Sequence, residues 1–190
     1  WLRHSQGLLI SKSPANRPAL IDHSKDLPSG PVVSTSEGKV SQLRTYQDLL
    51  KNPQDEQDFV SLATSELHWI DLQGKQTKFL SADLYTQANV SPDGKYVLVS
   101  KLKKPFSYVV AYRSFPQETS VYAIDGNLIQ KVNETPLIEI MPKGFSSTRT
   151  GKRMLTWRAD KPNTLFFVQA LDGGDANKPV DFRDELFTWE

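Results

Sequence analysis

Ser91-Pro92-Asp93-Gly94 is the stretch that most restricts how this chain can fold. Pro92 presets φ at the first corner, Asp93 has a side chain that can hold the turn amides, and Gly94 accepts a positive φ without a Cβ clash, so the four residues read as a tight reversal. Tyr96, Val97, Leu98 and Val99 follow it. An apolar run of aromatic and β-branched residues without polar alternation predicts a short strand covered on both faces, an inner strand of its sheet.

The same turn-and-strand pattern recurs, and internal repetition decides architecture before any other signal. Trp1 set under Val90 brings Leu8-Leu9-Ile10 under Val97-Leu98-Val99 and Ser11-Lys12 under Ser100-Lys101, an offset of 89 residues. Gly151 set under Gly94 brings Met154-Leu155-Thr156 into the same strand slot at an offset of 57, with Arg149-Thr150-Gly151-Lys152 as a degenerate turn. The offsets differ by 32 residues, an excess that falls between residues 13 and 60 and reads as an insertion in the first repeat.

Length and charge narrow the function classes. At 190 residues the chain can bury a core of its own as one domain or slightly more. Lys and Arg number 23 against 22 Asp and Glu, so there is no footprint for nucleic acid or an acidic membrane, and neither is expected as a partner. The absence of cysteine excludes disulfides, thiolate metal sites and a thiol nucleophile, while leaving the redox compartment open. No apolar run reaches about 18 residues, so no membrane-spanning helix is expected. The first residues lack the basic-then-apolar plan of a secretory leader. Because Trp1 stands in mid-repeat, the chain reads as a piece cut from a longer polypeptide.

Residues 13 to 43 carry Pro14, Pro18, Pro28 and Pro31 among Ser, Gly, Asn and Lys, a composition that predicts a surface loop. Thr45 and Asp48 have the spacing of a capping box, with Leu49 and Leu50 behind them. Asn52 then offers a second cap, with Pro53 at the first helical position and Asp55 and Glu56 in the first turn, so short helices are expected over 45–59. Leu67 to Leu72, the turn at Gln73-Gly74 and Lys75 to Leu80 form a predicted hairpin. A second hairpin spans Val121 to Ile124, Asp125-Gly126-Asn127 and Leu128 to Val132, with a further strand expected over Ser107 to Tyr112. Later strands are read at Met154 to Trp157 and Leu165 to Gln169, and the chain stops within Leu186 to Trp189.

Repeats of about four antiparallel strands at this period predict an all-β fold, a partial β-propeller of about three four-stranded blades, the last incomplete, with a short helical insert. The expected division is one propeller domain over 1–190: a blade over 1–80 that holds the Pro-rich insertion 13–43 and the helices 45–59, a blade over 81–139, and an incomplete blade over 140–190. A two-sheet sandwich would leave the repeat unexplained.

The turn Ser91 to Lys95, the segment Arg44 to Pro53 with Asp55-Glu56, and Trp157-Arg158-Ala159-Asp160 followed by Ala170 to Asp175 together resemble the N-terminal propeller of prolyl oligopeptidase family serine peptidases. More narrowly they resemble the branch of glutamyl endopeptidases and of dipeptidyl-peptidase-like and acylaminoacyl-peptidase-like proteins. The resemblance implies a C-terminal α/β-hydrolase domain, absent from these residues, that holds a Ser-Asp-His triad, and a propeller that gates which peptide substrates reach it. The expected location is the periplasm or the exterior of a bacterium rather than a cytoplasm.

No Gly-x-Ser-x-Gly nucleophile elbow occurs, and His4 in a turn, His23 in the Pro-rich insertion and His68 in a strand beside Trp69 read as ordinary surface or packed histidines rather than triad bases, so no catalytic residue is assigned. Asp172-Gly173-Gly174-Asp175 resembles part of a calcium turn but supplies only two carboxylates where calcium takes six to eight oxygens, so no metal or cofactor is expected. Arg149, Lys152 and Arg153 crowd one turn and are the candidate substrate-facing residues. Trp157 with Arg158 and Asp160 reads as a packed indole beside a local ion pair. Asn89-Val90-Ser91 and Asn133-Glu134-Thr135 fit the glycosylation sequon, which matters only in a secretory chain.

Two functions fit: a non-catalytic propeller segment of a serine peptidase, and a stand-alone propeller scaffold that binds a protein partner without chemistry. Fold alone does not separate them. An open arc of blades also leaves apolar faces and the strand edge near Phe187 and Trp189 uncovered, so the isolated chain is expected to self-associate.

Overall fold

In the computed structural model, which describes residues 2, 6–22, 27 and 46–190, the Ser91 reversal is built as its sequence requires. The Gly94 amide donates to the Ser91 carbonyl at 2.9 Å, and the Ser91 amide donates to the Tyr96 carbonyl at 2.8 Å. Gly94 has φ 75°. The Asp93 carboxylate accepts from the Ser91 hydroxyl at 2.6 Å and from the Lys95 amide at 3.1 Å, which fixes the corner from inside. The reversal joins two strands, β4 (Tyr85–Val90) and β5 (Tyr96–Leu102).

Among the described residues, three antiparallel sheets follow one another along the chain. The first is ordered β1-β2-β3, from β1 (Gly7–Lys12), β2 (Ser65–Asp71) and β3 (Gln76–Asp83). The second is a four-stranded meander of β4, β5, β6 (Gln117–Ala123) and β7 (Leu128–Thr135). The third is ordered β10-β9-β8, from β8 (Arg153–Trp157), β9 (Leu165–Ala170) and β10 (Asp184–Trp189). The described residues are thus mostly β, in sheets of three to four strands with no closed barrel among them, consistent with a partial propeller-like fold. Both hairpins expected from sequence are present. The Asp71 and Ala123 carbonyls accept from the Gly74 and Gly126 amides at 3.1 and 2.9 Å, and both glycines have positive φ.

β5 sits inside the second sheet with its side chains buried both ways, as its unbroken apolar sequence dictates. Val97 and Val99 pack against the first sheet in a cluster with Leu67 and Phe79. Leu98, between them in sequence, points the other way into a cluster with Val121, Val132, Trp157 and Leu165, and so binds the third sheet. Val97 and Leu98 are both 0% exposed. The period-2 geometry of a strand hands alternate residues to opposite neighbours, so seven residues of β5 hold three sheets together.

The helical insert is α1 (Pro53–Ala63). Its Asn52 cap accepts from the Asp55 amide at 2.8 Å, and Pro53 stands in the first turn, as the sequence predicts. The helix runs four residues past the predicted end at 59, because Phe59 and Val60 still face an apolar partner: Leu102, Phe106, Val110 and Phe115. Of the first capping box, Thr45 lies outside the described residues, and 46–50 are not helical. The opening part of the Pro-rich insertion is docked on α1, with the Ser61 hydroxyl donating to the Pro18 carbonyl at 2.7 Å and the Ile21 amide to Asp58 at 2.9 Å.

Two expectations are corrected. Ser107 to Tyr112 is not a strand. The Ser107 hydroxyl accepts from the Val109 amide at 3.1 Å and donates to Glu139 at 2.6 Å, and this local bond competes with any ladder. The strand that completes the four-stranded sheet is instead β4, whose polar Thr86, Gln87 and Asn89 gave no apolar signal. The repeat phase in the third sheet also differs. The true counterpart of the Ser91 reversal is Arg158 to Thr164, where the Arg158 amide donates to the Thr164 carbonyl at 2.8 Å, and the counterpart of β5 is β9. Arg149 to Lys152 is a turn that precedes β8, an edge strand with a bulge between Arg153 and Thr156.

Candidate functional site

Arg149, Lys152 and Arg153 converge at the start of β8, where the chain enters the third sheet. The Arg149 guanidinium donates to the Thr150 and Lys152 carbonyls at 3.2 and 2.6 Å and so holds its own turn. Burial, and secondarily the Arg153 cation, lower its pKa. Lys152 reaches between the second and third sheets. Its Nζ donates to the Val132 carbonyl at 2.7 Å and lies 4.2 Å from the Trp189 ring centroid and 5.0 Å from that of Phe167. Burial pushes its pKa down. Arg153 donates to the Thr148 hydroxyl at 3.2 Å and forms an ion pair with Asp184 on β10. Each of the three cations thus has a partner within the chain, with Arg149 and Arg153 close enough to act on one another and Lys152 turned toward the second sheet; Arg153 Nε is buried without a partner.

Of the three histidines, His4 and His23 lie outside the described residues. His68 is buried on β2, 3.0 Å from Glu66, which also accepts from Lys78 at 2.6 Å. Lys78 and then His68 hold the Glu66 carboxyl below its ordinary range. The His68 ring is thus paired with a carboxylate and a lysine salt link rather than with a serine.

Asp172 is committed to its own loop. Its two carboxylate oxygens accept from the Gly174 amide at 2.7 Å and from Arg183 at 2.8 Å. Asp175 accepts from the backbone and side-chain amides of Asn177. The buried Trp157 indole donates to the Asn89 carbonyl at 2.8 Å, and Arg158 grips Asp160 with two bonds at 3.0 and 2.6 Å, the packed indole and local ion pair that the sequence predicts.

A cavity that no motif announces lies at the start of β4. Its volume is about 580 Å³ and its walls include Phe59 and Ala63 of α1, Tyr85 and Gln87 of β4, Gln117 of β6, and Arg113 from the 3-10 turn Tyr112–Ser114. A smaller cavity of about 210 Å³ lies along the same strand, against Leu9 and Ile10 of β1, and shares Tyr85, Thr86 and Gln87 with the first. Sequence reading missed both because β4 itself was not legible.

Comparison with known proteins relates the chain to peptidases. It is 37% identical over 188 residues to a protein of Oryza sativa subsp. japonica named probable glutamyl endopeptidase, chloroplastic, a match that takes in 98% of this chain and 20% of that protein. It is 39% identical over 189 residues to an Arabidopsis thaliana protein of the same name, with 98% and 19% covered. No protein-family profile matches, and no solved structure matches. These relatives correct the expected location: both are plant proteins named as chloroplastic, which counts against a bacterial periplasm or secretion. Composition carried no such address, since a chain without cysteine is neutral to the redox compartment. The chain spans about a fifth of the length of these relatives, and over nearly all of its own length it is related to proteins named as peptidases.

Proposed function

We propose that this chain is a non-catalytic segment of a serine peptidase, part of a β-propeller whose blades fall at 1–80, 81–139 and 140–190 and which gates peptide access to an α/β-hydrolase domain outside these residues. The observation that carries this reading is the match of 98% of the chain to a fifth of proteins named as endopeptidases. The side chains fit it. The described serines and His68 form no nucleophile-base pair, and the polar groups that cluster are spent on holding sheets together. In this reading Arg149, Lys152 and Arg153 are the substrate-facing candidates: only Arg153 has a carboxylate partner, Asp184, while Arg149 and Lys152 bond backbone carbonyls, so their charge is left to favour an acidic segment of substrate. The prolyl oligopeptidase assignment, and the narrower branch within it, belong to the same proposal.

The test has two arms. The purified chain should hydrolyse no peptide and take no label from a serine-directed fluorophosphonate. A longer polypeptide that carries this segment with a hydrolase domain should cleave short peptides and spare folded proteins. Stoichiometric labelling of a serine in this chain would overturn the non-catalytic part, and cleavage of folded proteins by the longer polypeptide would overturn the gate. The scaffold alternative would be favoured if the longer polypeptide had no nucleophile elbow.

A further inference from the structure

We propose that the cavity at the start of β4 takes the C-terminal carboxylate of an extended peptide, with Arg113 as its counter-ion and the free edge of β4 as the track for the peptide backbone. The inference needs no hydrolase domain and stands apart from the peptidase reading.

Charge is the first argument. Arg113 is the one charged side chain among the residues that line the cavity. The acids next to its lining in the chain, Asp83 before Leu84 and Glu118 after Gln117, and Glu56 on α1, are already taken: Asp83 pairs with Lys101 at 2.8 Å, Glu118 with Lys131 at 3.1 Å, and Glu56 with Lys104 at 3.6 Å. Among the described residues, the Arg113 guanidinium contacts only the neighbouring Tyr112 ring, at 5.9 Å. A guanidinium without a carboxylate, in a concave wall that also carries Thr86, Gln87 and Gln117, suits one carboxylate and the amide groups that precede it.

Rigidity is the second. The 3-10 turn that carries Arg113 is pinned from below. The Phe115 amide donates to the Tyr112 carbonyl at 3.1 Å, the Ser114 carbonyl accepts from Ile138 at 2.9 Å, and the Phe115 ring, 1% exposed, stacks on Phe106 with centroids 5.1 Å apart. The backbone that carries the cation is therefore fixed, and ordering on binding falls on the Arg113 side chain alone.

Topology is the third. β4 ends its sheet, and among the described residues no strand pairs with its outer edge. Such an edge can add a peptide strand by main-chain bonds. At its far end the Trp157 indole already occupies the Asn89 carbonyl, which leaves the Tyr85 to Ala88 half, along which the two cavities lie, as the open part. Phe59 and Ala63 of α1 stand across the cavity at that end. A chain laid along β4 meets the helix there, so the terminus of a peptide fits the terminus of the groove.

The test is fluorescence anisotropy of the purified chain with a labelled peptide about eight residues long, enough to cover an edge strand. The peptide is rich in Thr and Val, lacks acidic side chains, and is made as the free acid, as the C-terminal amide, and as the amide with one internal glutamate. The free acid should bind at least about tenfold tighter than either amide, the worth of one charge-assisted contact. Arg113→Gln should abolish that preference and Arg113→Lys should restore part of it. Equal binding of acid and amide, glutamate-amide binding as tight as the acid, or no binding of the acid at millimolar concentration would each overturn the proposal. Because the acid-to-amide ratio is read on the wild-type chain, misfolding of a variant would not blur the result.

Discussion

The Trp157 indole donates its Nε1 hydrogen to the Asn89 carbonyl at 2.8 Å, tying the first strand of the third sheet to the first strand of the second across 68 residues of sequence. The ring is buried, so its area packs the intersheet core while its polar tip closes the account of an edge carbonyl. Trp157→Phe keeps most of the area and removes the donor. It is expected to cost about 1–3 kcal/mol, the range for an orphaned buried partner, read as a lower urea midpoint at unchanged slope.

Leu98→Ala is expected to cost about 2–5 kcal/mol, as for a large-to-small change in a closed core. The loss should appear as faster hydrogen exchange in β8 and β9, the strands on the side to which Leu98 points. Val99→Ala should instead loosen β2 and β3.

Gly174 has φ 84°, and a Cβ there would lie 2.0 Å from the Thr148 carbonyl oxygen. Since the Thr148 amide also donates to the Gly174 carbonyl, the loop and the turn before β8 approach as backbone against backbone. Gly174→Ala should lower stability by about 2 kcal/mol or more, through both the left-handed φ and the clash, seen in thermal unfolding.

Arg183, and then the Gly174 amide, hold the Asp172 carboxyl below its ordinary 3.8. A depressed carboxylate contributes stability that is fully present above its unfolded pKa and disappears as pH falls through the folded value. The difference in urea midpoint between wild type and Asp172→Asn should therefore be constant above about pH 5 and shrink below pH 3.8. A difference that grows with acid would show that the pair does not act in this way.

Met154, Phe182 and Leu186 are 71%, 75% and 62% exposed on or beside the third sheet. At about 25 cal/mol per Å² of apolar area, a few hundred Å² covered by a second copy favours association before its entropic cost. Sedimentation of the purified chain at micromolar concentration is expected to reveal dimers or larger species, and a clean monomer would refute this.

The parts of the fold legible in sequence are those where one residue type answers one backbone demand. Gly74, Gly94 and Gly126 mark reversals that need positive φ, Asn52 and Pro53 mark a helix start, and the apolar run of β5 marks a strand with two covered faces. What was not legible depends on neighbours far away. β4 has no fully buried residue, so polar side chains are tolerated on it, and its Thr86, Gln87 and Asn89 resemble a loop until β5 is placed beside them. Ser107 to Tyr112 has strand composition, yet one serine hydroxyl takes the amide that a ladder would need. The site shows the same division. Arg149, Lys152 and Arg153 could be picked out as a cluster, but Arg113 stood alone in sequence, and only the fold gives it a cavity.

The double covering of β5 also limits where this chain can vary or acquire recognition chemistry. A layer with neighbours above and below has no wall to offer to solvent, so changes at Val97, Leu98 or Val99 can be felt only as altered fit between layers. Novelty in the middle sheet is left to the tips of its strands, its outer margins and the connections between them. The Arg113 turn, the α1 insertion and the loop from Pro136 to Lys152 all lie in that periphery, where sequence can drift while the stacked interior keeps its register.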